Sequence, residues 1–327
     1  MIEDAIARAA ATLSKAPAVA IACHVNPDTD ALGSMLGLGL HLRERGASVT
    51  CSFPNDPPDL PAWASALPGT ELLVGPGAFP AAPAVMVTCD CASFDRLGML
   101  GAAAEAAAEL IWIDHHRSND GLGSIRVVDP SASSTCELVV RLLDAIGGTL
   151  GRDAALCLYA GIVTDTGRFQ YEATTPETLR IAARLRELPF DHARLSQALF
   201  EDRRAGALRL LAVALDRLRE EPGADLVWTY LTRDDLERAG GESSDADDLI
   251  DVVRTLRGAD VAAFLKQQAD GRFKVSVRSR GDHDLAAIAS AFGGGGHRLA
   301  AGYTSERGPA GTIEMLAAAL AAQPAPA

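Results

Sequence analysis

The chain has 327 residues, 48% of them hydrophobic and 22% charged, a composition ordinary for a globular enzyme with a sizeable core and a length that suggests two domains. Its formal net charge of −13 excludes a long nucleic acid laid along a basic stripe, because such binding rests on Lys and Arg contacts to many phosphates. No apolar run reaches the ~18 residues of a membrane span, and the acidic, amphipathic start MIEDAIARAAATLSKAP reads against a secretory signal. Cys23, Cys51, Cys89, Cys91, Cys136 and Cys157 are scattered with no CxxC pair, as expected of reduced thiols in a cytoplasmic protein.

In chain order, AVAIACHV (18–25) reads as a buried strand and residues 31–46 as a helix ending at Gly46. Strands are predicted at 47–53, 84–91 and 109–116, and residues 134–147 and 155–167 are helical or mixed. Cys89 and Cys91 flank Asp90, and strand alternation would turn both to the face opposite Asp90. This alternation predicts an α/β domain with a mostly parallel sheet flanked by helices, whose ligands sit beyond the C-terminal strand ends. Residues 177–219 are helical and charged, and Glu221-Pro222-Gly223 breaks them. A smaller α/β domain follows, with a strand at 224–231, a helix at 245–258, a hairpin of 259–268 and 272–280 around Asp270-Gly271, and a helix at 284–292 running into Gly293-Gly294-Gly295-Gly296-His297. The expected division is 1–185 for the first domain, 186–220 for a helical connector and 221–322 for the second.

Polar residues gather where the apolar strands end. His24, Asp28 and Asp30 fall within seven residues between a strand and a helix. One Asp would satisfy a helix cap, so two Asp plus a His exceed what capping requires, and these oxygen and nitrogen donors suit Mn²⁺ or Mg²⁺. Asp90 ends the next apolar run, Asp114-His115-His116 ends another, and Asp165 lies in GIVTDTGR. Each alone reads equally as a turn or a cap. Brought together by one sheet, four carboxylates and two imidazoles would form a cage for two divalent ions, and without cations so many buried carboxylates would be costly. In the second half, the Gly293–Gly296 run is either a flexible linker or a loop whose backbone N–H groups take an anion. Arg278 and Arg280 are two apart on a predicted strand and share a face, as surface charges or as phosphate contacts.

HVNPDTDALGS (24–34), VTCDCAS (87–93), DHH (114–116) and GIVTDTGRF (161–169) resemble the motifs of the DHH phosphoesterase superfamily, and VSVRSR (275–280) with FGGGGHRLAAG (292–302) resembles its DHHA1 substrate domain. The resemblance runs in order over nearly the whole chain, with Thr29 where Gly is common. Length and domain pair are similar to the branch of oligoribonucleases and 3′-phosphoadenosine-5′-phosphate (pAp) phosphatases, also called nanoRNases. The resemblance implies that His24, Asp28 and Asp90 hold one ion and that Asp30, Asp90, His115 and Asp165 hold a second, with two Mn²⁺ per chain and Mg²⁺ or Co²⁺ as substitutes. It implies that Asp114 supports a neighbouring His and that His116 faces the substrate phosphate. Arg278, Arg257, Gly294, Gly295, Gly296 and His297 would grip the nucleotide. The expected partners are short oligoribonucleotides of two to five residues, pApA, cyclic di-AMP and pAp, bound in a cleft between domains, with no long nucleic acid and no membrane; a homodimer is what the family suggests. Competing readings are a manganese inorganic pyrophosphatase, a longer single-strand exonuclease, a nucleotide sensor without catalysis and a structural scaffold. The first lacks a GGGGH-bearing second domain, the exonuclease needs a basic groove, and the last two leave the complete ligand set unexplained.

Overall fold

The computed structural model describes residues 2–57, 60–119, 122–281 and 283–323, and the chain divides into two units, Met1–Glu201 and Asp202–Ala327. The first unit runs α1 (Ile2–Leu13), β1 (Ala18–Cys23), α2 (Thr29–Glu44), β2 (Ser48–Ser52), β3 (Val85–Cys89), α3 (Gly101–Ala106), β4 (Glu109–Asp114), β5 (Ile125–Val128), α4 (Thr135–Ile146), α5 (Arg152–Asp165), α6 (Pro176–Arg186) and α7 (His192–Phe200). Its five strands are parallel in the order β2-β1-β3-β4-β5. β1 reads AVAIAC and is buried at every position but the first, as a strand covered on both faces must be. One face packs against α1, α2, α4 and α5 through residues such as Leu13, Leu36, Val139 and Leu158; the other packs Met86 and Trp112 against Leu97, Leu100 and Ala104. The chain leaves β1 to one side for β2 and returns to the other side for β3, so a topological switch point opens at the C-terminal ends of β1 and β3.

α2 is buried from Thr29 through Leu42 and lies centrally among the helices. Its packing on α5 and α4 depends on absent side chains. A Cβ at Gly33 would lie 2.5 Å from the Cys157 carbonyl oxygen, and one at Gly161 would overlap Cys136 Sγ and lie 2.8 Å from Asp30 Oδ1.

The second unit runs α8 (Ala205–Asp216), β6 (Arg219–Glu221), β7 (Leu226–Leu231), α9 (Arg233–Ala239), α10 (Leu249–Val253), β8 (Val261–Gln267), β9 (Phe273–Ser279), α11 (Leu285–Ala291), β10 (Gly295–His297), β11 (Ala300–Ser305) and α12 (Pro309–Ala321). Its mixed sheet has the order β10-β11-β9-β8-β7-β6, parallel only between β7 and β8. α11 and α12 cover one face, and α8, α9 and α10 the other. Among the described residues no helix is long and apolar enough to cross a membrane.

Several elements differ from the sequence expectation. Residues 245–258 do not make one helix: a 3₁₀ turn at Ser243–Ala246 precedes the short α10, because Asp245 turns back to accept from the Glu242 N–H at 2.8 Å and closes a tight turn there. β5, α9 and α12 carried no strong motif and went unread. The alternation expected around Asp90 fails, since its φ of 59° ends the strand and sends Cys89 into one core and Cys91 into the other. All six cysteines are free and buried.

In the second unit Asp235 ties α8, β7 and α9 together. It accepts from Arg217 Nη1 and Nη2 at 2.5 and 2.8 Å and from the Thr232 N–H and hydroxyl at 2.8 and 2.6 Å. Burial alone would raise its pKa, but the bonds from Arg217 and Thr232 prevail and hold it at about 2. A depressed carboxyl pKa stabilises the fold above the ordinary carboxylate range, and that contribution is lost as pH falls from about 4 through about 2. Asp235→Asn is expected to lower the unfolding free energy by about 2 kcal/mol at pH 7. Urea denaturation across pH should show this gap closing as pH falls through that range; a gap independent of pH would rule out the ionised pair as its source.

Candidate metal centre

Strand ends of the parallel sheet supply most of the polar cluster. His24 follows β1, Asp90 follows β3, and Asp114 closes β4 just ahead of His115 and His116. Asp165 enters from a helix, as the last residue of α5, rather than from a strand. Immediately beyond it Gly167, Arg168 and Phe169 all have positive φ, of 56°, 62° and 65°, which swings the chain away. The Thr166 hydroxyl holds this turn, donating to the Ile162 carbonyl at 2.6 Å and accepting from the Phe169 N–H at 3.1 Å.

The side chains converge. His24 Nε2 lies 3.4 Å from Asp90 Oδ2 and 3.9 Å from Asp28 Oδ2. His115 Nε2 lies 3.8 Å from Asp90 Oδ1 and 3.4 Å from Asp165 Oδ2. Three donor groups each fit within 4.8 Å: His24, Asp28 and Asp90; Asp30, His115 and Asp165; and Asp90, His115 and His116. Asp28 divides its oxygens: Oδ1 caps the helix by accepting the Ala31 N–H at 3.0 Å, and Oδ2 is turned to His24.

Asp30 is 1% exposed and sits at the N-terminus of α4. Its Oδ2 accepts the Thr135 N–H at 2.7 Å and its Oδ1 the Cys136 N–H at 2.9 Å, so a helix start receives the carboxylate as it would an anion. Asp90, 2% exposed, accepts from the Thr135 hydroxyl at 2.9 Å, and its N–H donates to the Ile113 carbonyl at 3.0 Å. Asp114 is fully buried. Its Oδ1 takes the His115 N–H at 2.9 Å and His116 Nδ1 at 2.7 Å, and Asn119 Nδ2 donates to its Oδ2 at 2.7 Å. Arg96 Nη2 lies 2.9 Å from His24 Nδ1.

The charges are out of balance. Burial, with Asp90 nearby, pushes the Asp30 carboxyl up to about 7. Burial followed by Asp30 and Asp90 pushes Asp165 well above the carboxylate range. Asp90 goes the other way: burial opposes its charge, but the bond with His24 and the charges of His116, His24 and His115 hold it well below that range. All three histidines are raised although burial opposes it, His24 by Asp90, His115 by Asp30 and His116 by Asp114. Carboxylates that crowd until two of them resist ionising, ringed by imidazoles and holding no thiolate, are a donor set that fits a divalent cation.

Sequence reading missed Thr135, Asn119 and Arg96. Ser134-x-x-Glu137 marks a helix start, but no pattern says that this start meets Asp30, a hundred residues earlier.

Gly293–Gly296 is not an open loop. It enters edge strand β10, where Gly295 pairs with Gly302 and Gly296 with Ala301. A Cβ at Gly296, whose φ is 141°, would lie 2.5 Å from the Ala300 carbonyl. Gly294 lies against the backbone of Tyr303 and Gly302. The side chain of His297 lies outside the described residues. Arg278 is half-buried on β9, 4.0 Å from Asp251, and shares a sheet row with Ala300 and the His297 backbone. Arg280 lies past the strand end, where its guanidinium caps the Arg254 and Leu256 carbonyls at 2.9 Å each. Arg257 is exposed between α10 and β8.

The family model "DHH family, N-terminal domain" matches residues 18–162, and the DHHA1 domain model matches residues 223–323. The bifunctional oligoribonuclease and PAP phosphatase NrnA of Thermus thermophilus is 36% identical over 284 residues, covering 87% of this chain and 83% of the relative. The protein of the same name from Bacillus subtilis is 31% identical over 295 residues, covering 89% and 90%. In fold, the chain is similar to an exopolyphosphatase-related protein from Bacteroides fragilis, with a TM-score of 0.90 at 24% identity over 98% of this chain and 96% of that one.

Asp90→Asn keeps a residue that tolerates positive φ while removing the charge. A ligand that binds only the folded state stabilises it, so Mn²⁺ is expected to raise the melting temperature of the wild type, and Asp90→Asn is expected to fold yet lose that rise. A thermal-shift titration checks this; an undiminished rise would remove Asp90 from the ion-binding set.

Proposed function

The chain belongs to the DHH phosphoesterase family, with a DHHA1 domain behind the DHH domain, and from that premise we propose that it hydrolyses short oligoribonucleotides and pAp using two Mn²⁺ ions. The observation that carries the reading is the meeting of His24, Asp28 and Asp90 in one donor group and of Asp30, His115 and Asp165 in another, linked by a third made of Asp90, His115 and His116. One group would hold each ion, with Asp90 between them. When bound, such a pair supplies a water of lowered pKa and offsets charge on the phosphoryl oxygens.

The chain's own residues would do the rest. Asp114 would accept a hydrogen bond from the Nδ1–H of His116, which would fix the tautomer and leave Nε2 for the substrate. With Nδ1 held by Asp114, His116 would offer Nε2 as a donor to phosphoryl oxygens and to the leaving oxygen. The Asn119 bond to Asp114 keeps this pair in register. In the second unit Arg278, Arg257, Gly294, Gly295, Gly296 and His297 are our candidates for holding the remaining phosphate and nucleoside. The net charge of −13 favours short substrates over long ones.

Product release from pAp, pApA, cyclic di-AMP and a long RNA, each with Mn²⁺ and with EDTA, tests this. Mn²⁺-dependent turnover of pAp and pApA with little on long RNA is expected, and the cyclic dinucleotide arm defines how far the specificity reaches. Tight Mn²⁺ binding with no turnover of any of these would sink the proposal. Arg278→Ala is expected to raise KM for pAp roughly tenfold or more, the scale of one lost charge-assisted hydrogen bond, while sparing a generic phosphodiester. Equal losses on both substrates would remove Arg278 from the nucleotide grip.

A further inference from the structure

Thr135 is fully buried at the first position of α4. The helix does not need its hydroxyl, because Ser134 already caps the start by accepting the Glu137 N–H at 3.1 Å. The hydroxyl donates instead to Asp90 Oδ1 at 2.9 Å, while the N–H of the same residue donates to Asp30 Oδ2 at 2.7 Å. Thr135 thus grips two carboxylates that belong to different donor groups: Asp90 stands with His24 and Asp28, and Asp30 with His115 and Asp165.

The carboxylate of Asp90 needs such a grip. Its backbone is left-handed, at φ 59°, and the terminal torsion of an Asp side chain is soft. Rotation about that torsion would turn the carboxylate plane, so that its oxygens no longer face His24 on one side and His115 and His116 on the other. A donor bonded to one oxygen fixes that plane and keeps one oxygen turned to each side. Asp30 is set by backbone N–H groups of the same helix turn, so the two carboxylates share one rigid reference.

We infer that Thr135 is a positioning residue that locks the two metal half-sites to each other, so that the ions are taken up as a pair. The inference rests on the two-ion reading given above. Its side-chain and backbone bonds can be separated by experiment. Thr135→Val keeps shape and the N–H to Asp30 but removes the bond to Asp90. Thr135→Ser keeps both.

Mn²⁺ titration of the full chain by calorimetry and electron paramagnetic resonance tests it, with circular dichroism of the metal-free variants as the check on folding. Wild type and Thr135→Ser are expected to take up two ions and to give the exchange-coupled signal of a pair. Thr135→Val is expected to bind roughly 10- to 100-fold more weakly, the usual cost of losing a bond behind a metal ligand, and to give the six-line signal of isolated ions. Thr135→Ala removes the same hydroxyl without setting a methyl against Asp90 and stands in if the valine variant does not fold. Wild-type affinity and a coupled signal in the hydroxyl-free variants would overturn the inference, as would a serine variant that fails like valine. A wild type that takes up no pair would overturn the two-ion reading itself, an outcome distinct from either.

Discussion

Three buried or half-buried carboxylates, Asp30, Asp90 and Asp165, stand closer together than the surrounding protein neutralises, and the first unit is arranged around holding them there. Two devices share the work. The N-terminus of α4 presents two N–H groups and the positive end of its helix to Asp30. The imidazoles of His24 and His115 approach Asp90 from the two adjacent strand ends. Neither device removes the excess, as the raised carboxyl groups of Asp30 and Asp165 record. A cation completes the arrangement, and the parallel sheet is what makes the arrangement possible, because it delivers the ends of β1, β3 and β4 to one edge.

Packing sets how tightly the cluster can close. Asp30 opens α2, the helix buried against α4 and α5, and reaches α4 only because position 161 on α5 carries no side chain. A single methyl there would press on both Cys136 and Asp30. The small residues of GIVTDTG therefore serve the site through space they leave empty, while Asp165 in the same stretch serves it by contact. The second unit uses glycine differently. There the absence of Cβ lets β10 lie flat against β11, and the run that resembled a loop becomes a sheet edge whose backbone groups are presented in a row.

How much of this was legible follows from what each feature depends on. The strands carrying His24, Asp90 and Asp114 were readable because both-face burial leaves uninterrupted apolar runs that end abruptly in polar residues. The cluster of His and Asp side chains was readable for the same reason, with the family resemblance suggesting a role for each. Thr135, Asn119 and Arg96 were not, since each acts through one bond to a residue distant in sequence, and a lone Thr, Asn or Arg has no periodicity to betray it. Arg280 shows the converse. Its spacing from Arg278 suggested a shared task, but the strand stops one residue short, and the guanidinium closes the carbonyl end of α10 instead. Spacing predicts a common face only while the strand lasts.

The same limit explains Asp90. Alternation along β3 would have pointed its side chain to one face and both flanking cysteines to the other. A left-handed residue at that point breaks the alternation, and a non-glycine residue adopts that conformation only where its surroundings over-determine it. Here the N–H is fixed on Ile113 and the carboxylate on Thr135, with His24 facing its other oxygen. Backbone strain and a buried charge thus fall on one residue. Stability alone would avoid that coincidence, since glycine would relieve the first and a neutral side chain the second. Its presence at the switch point of an otherwise apolar sheet is intelligible when the carboxylate has to face two directions at once, as the shared ligand of the proposed ion pair would.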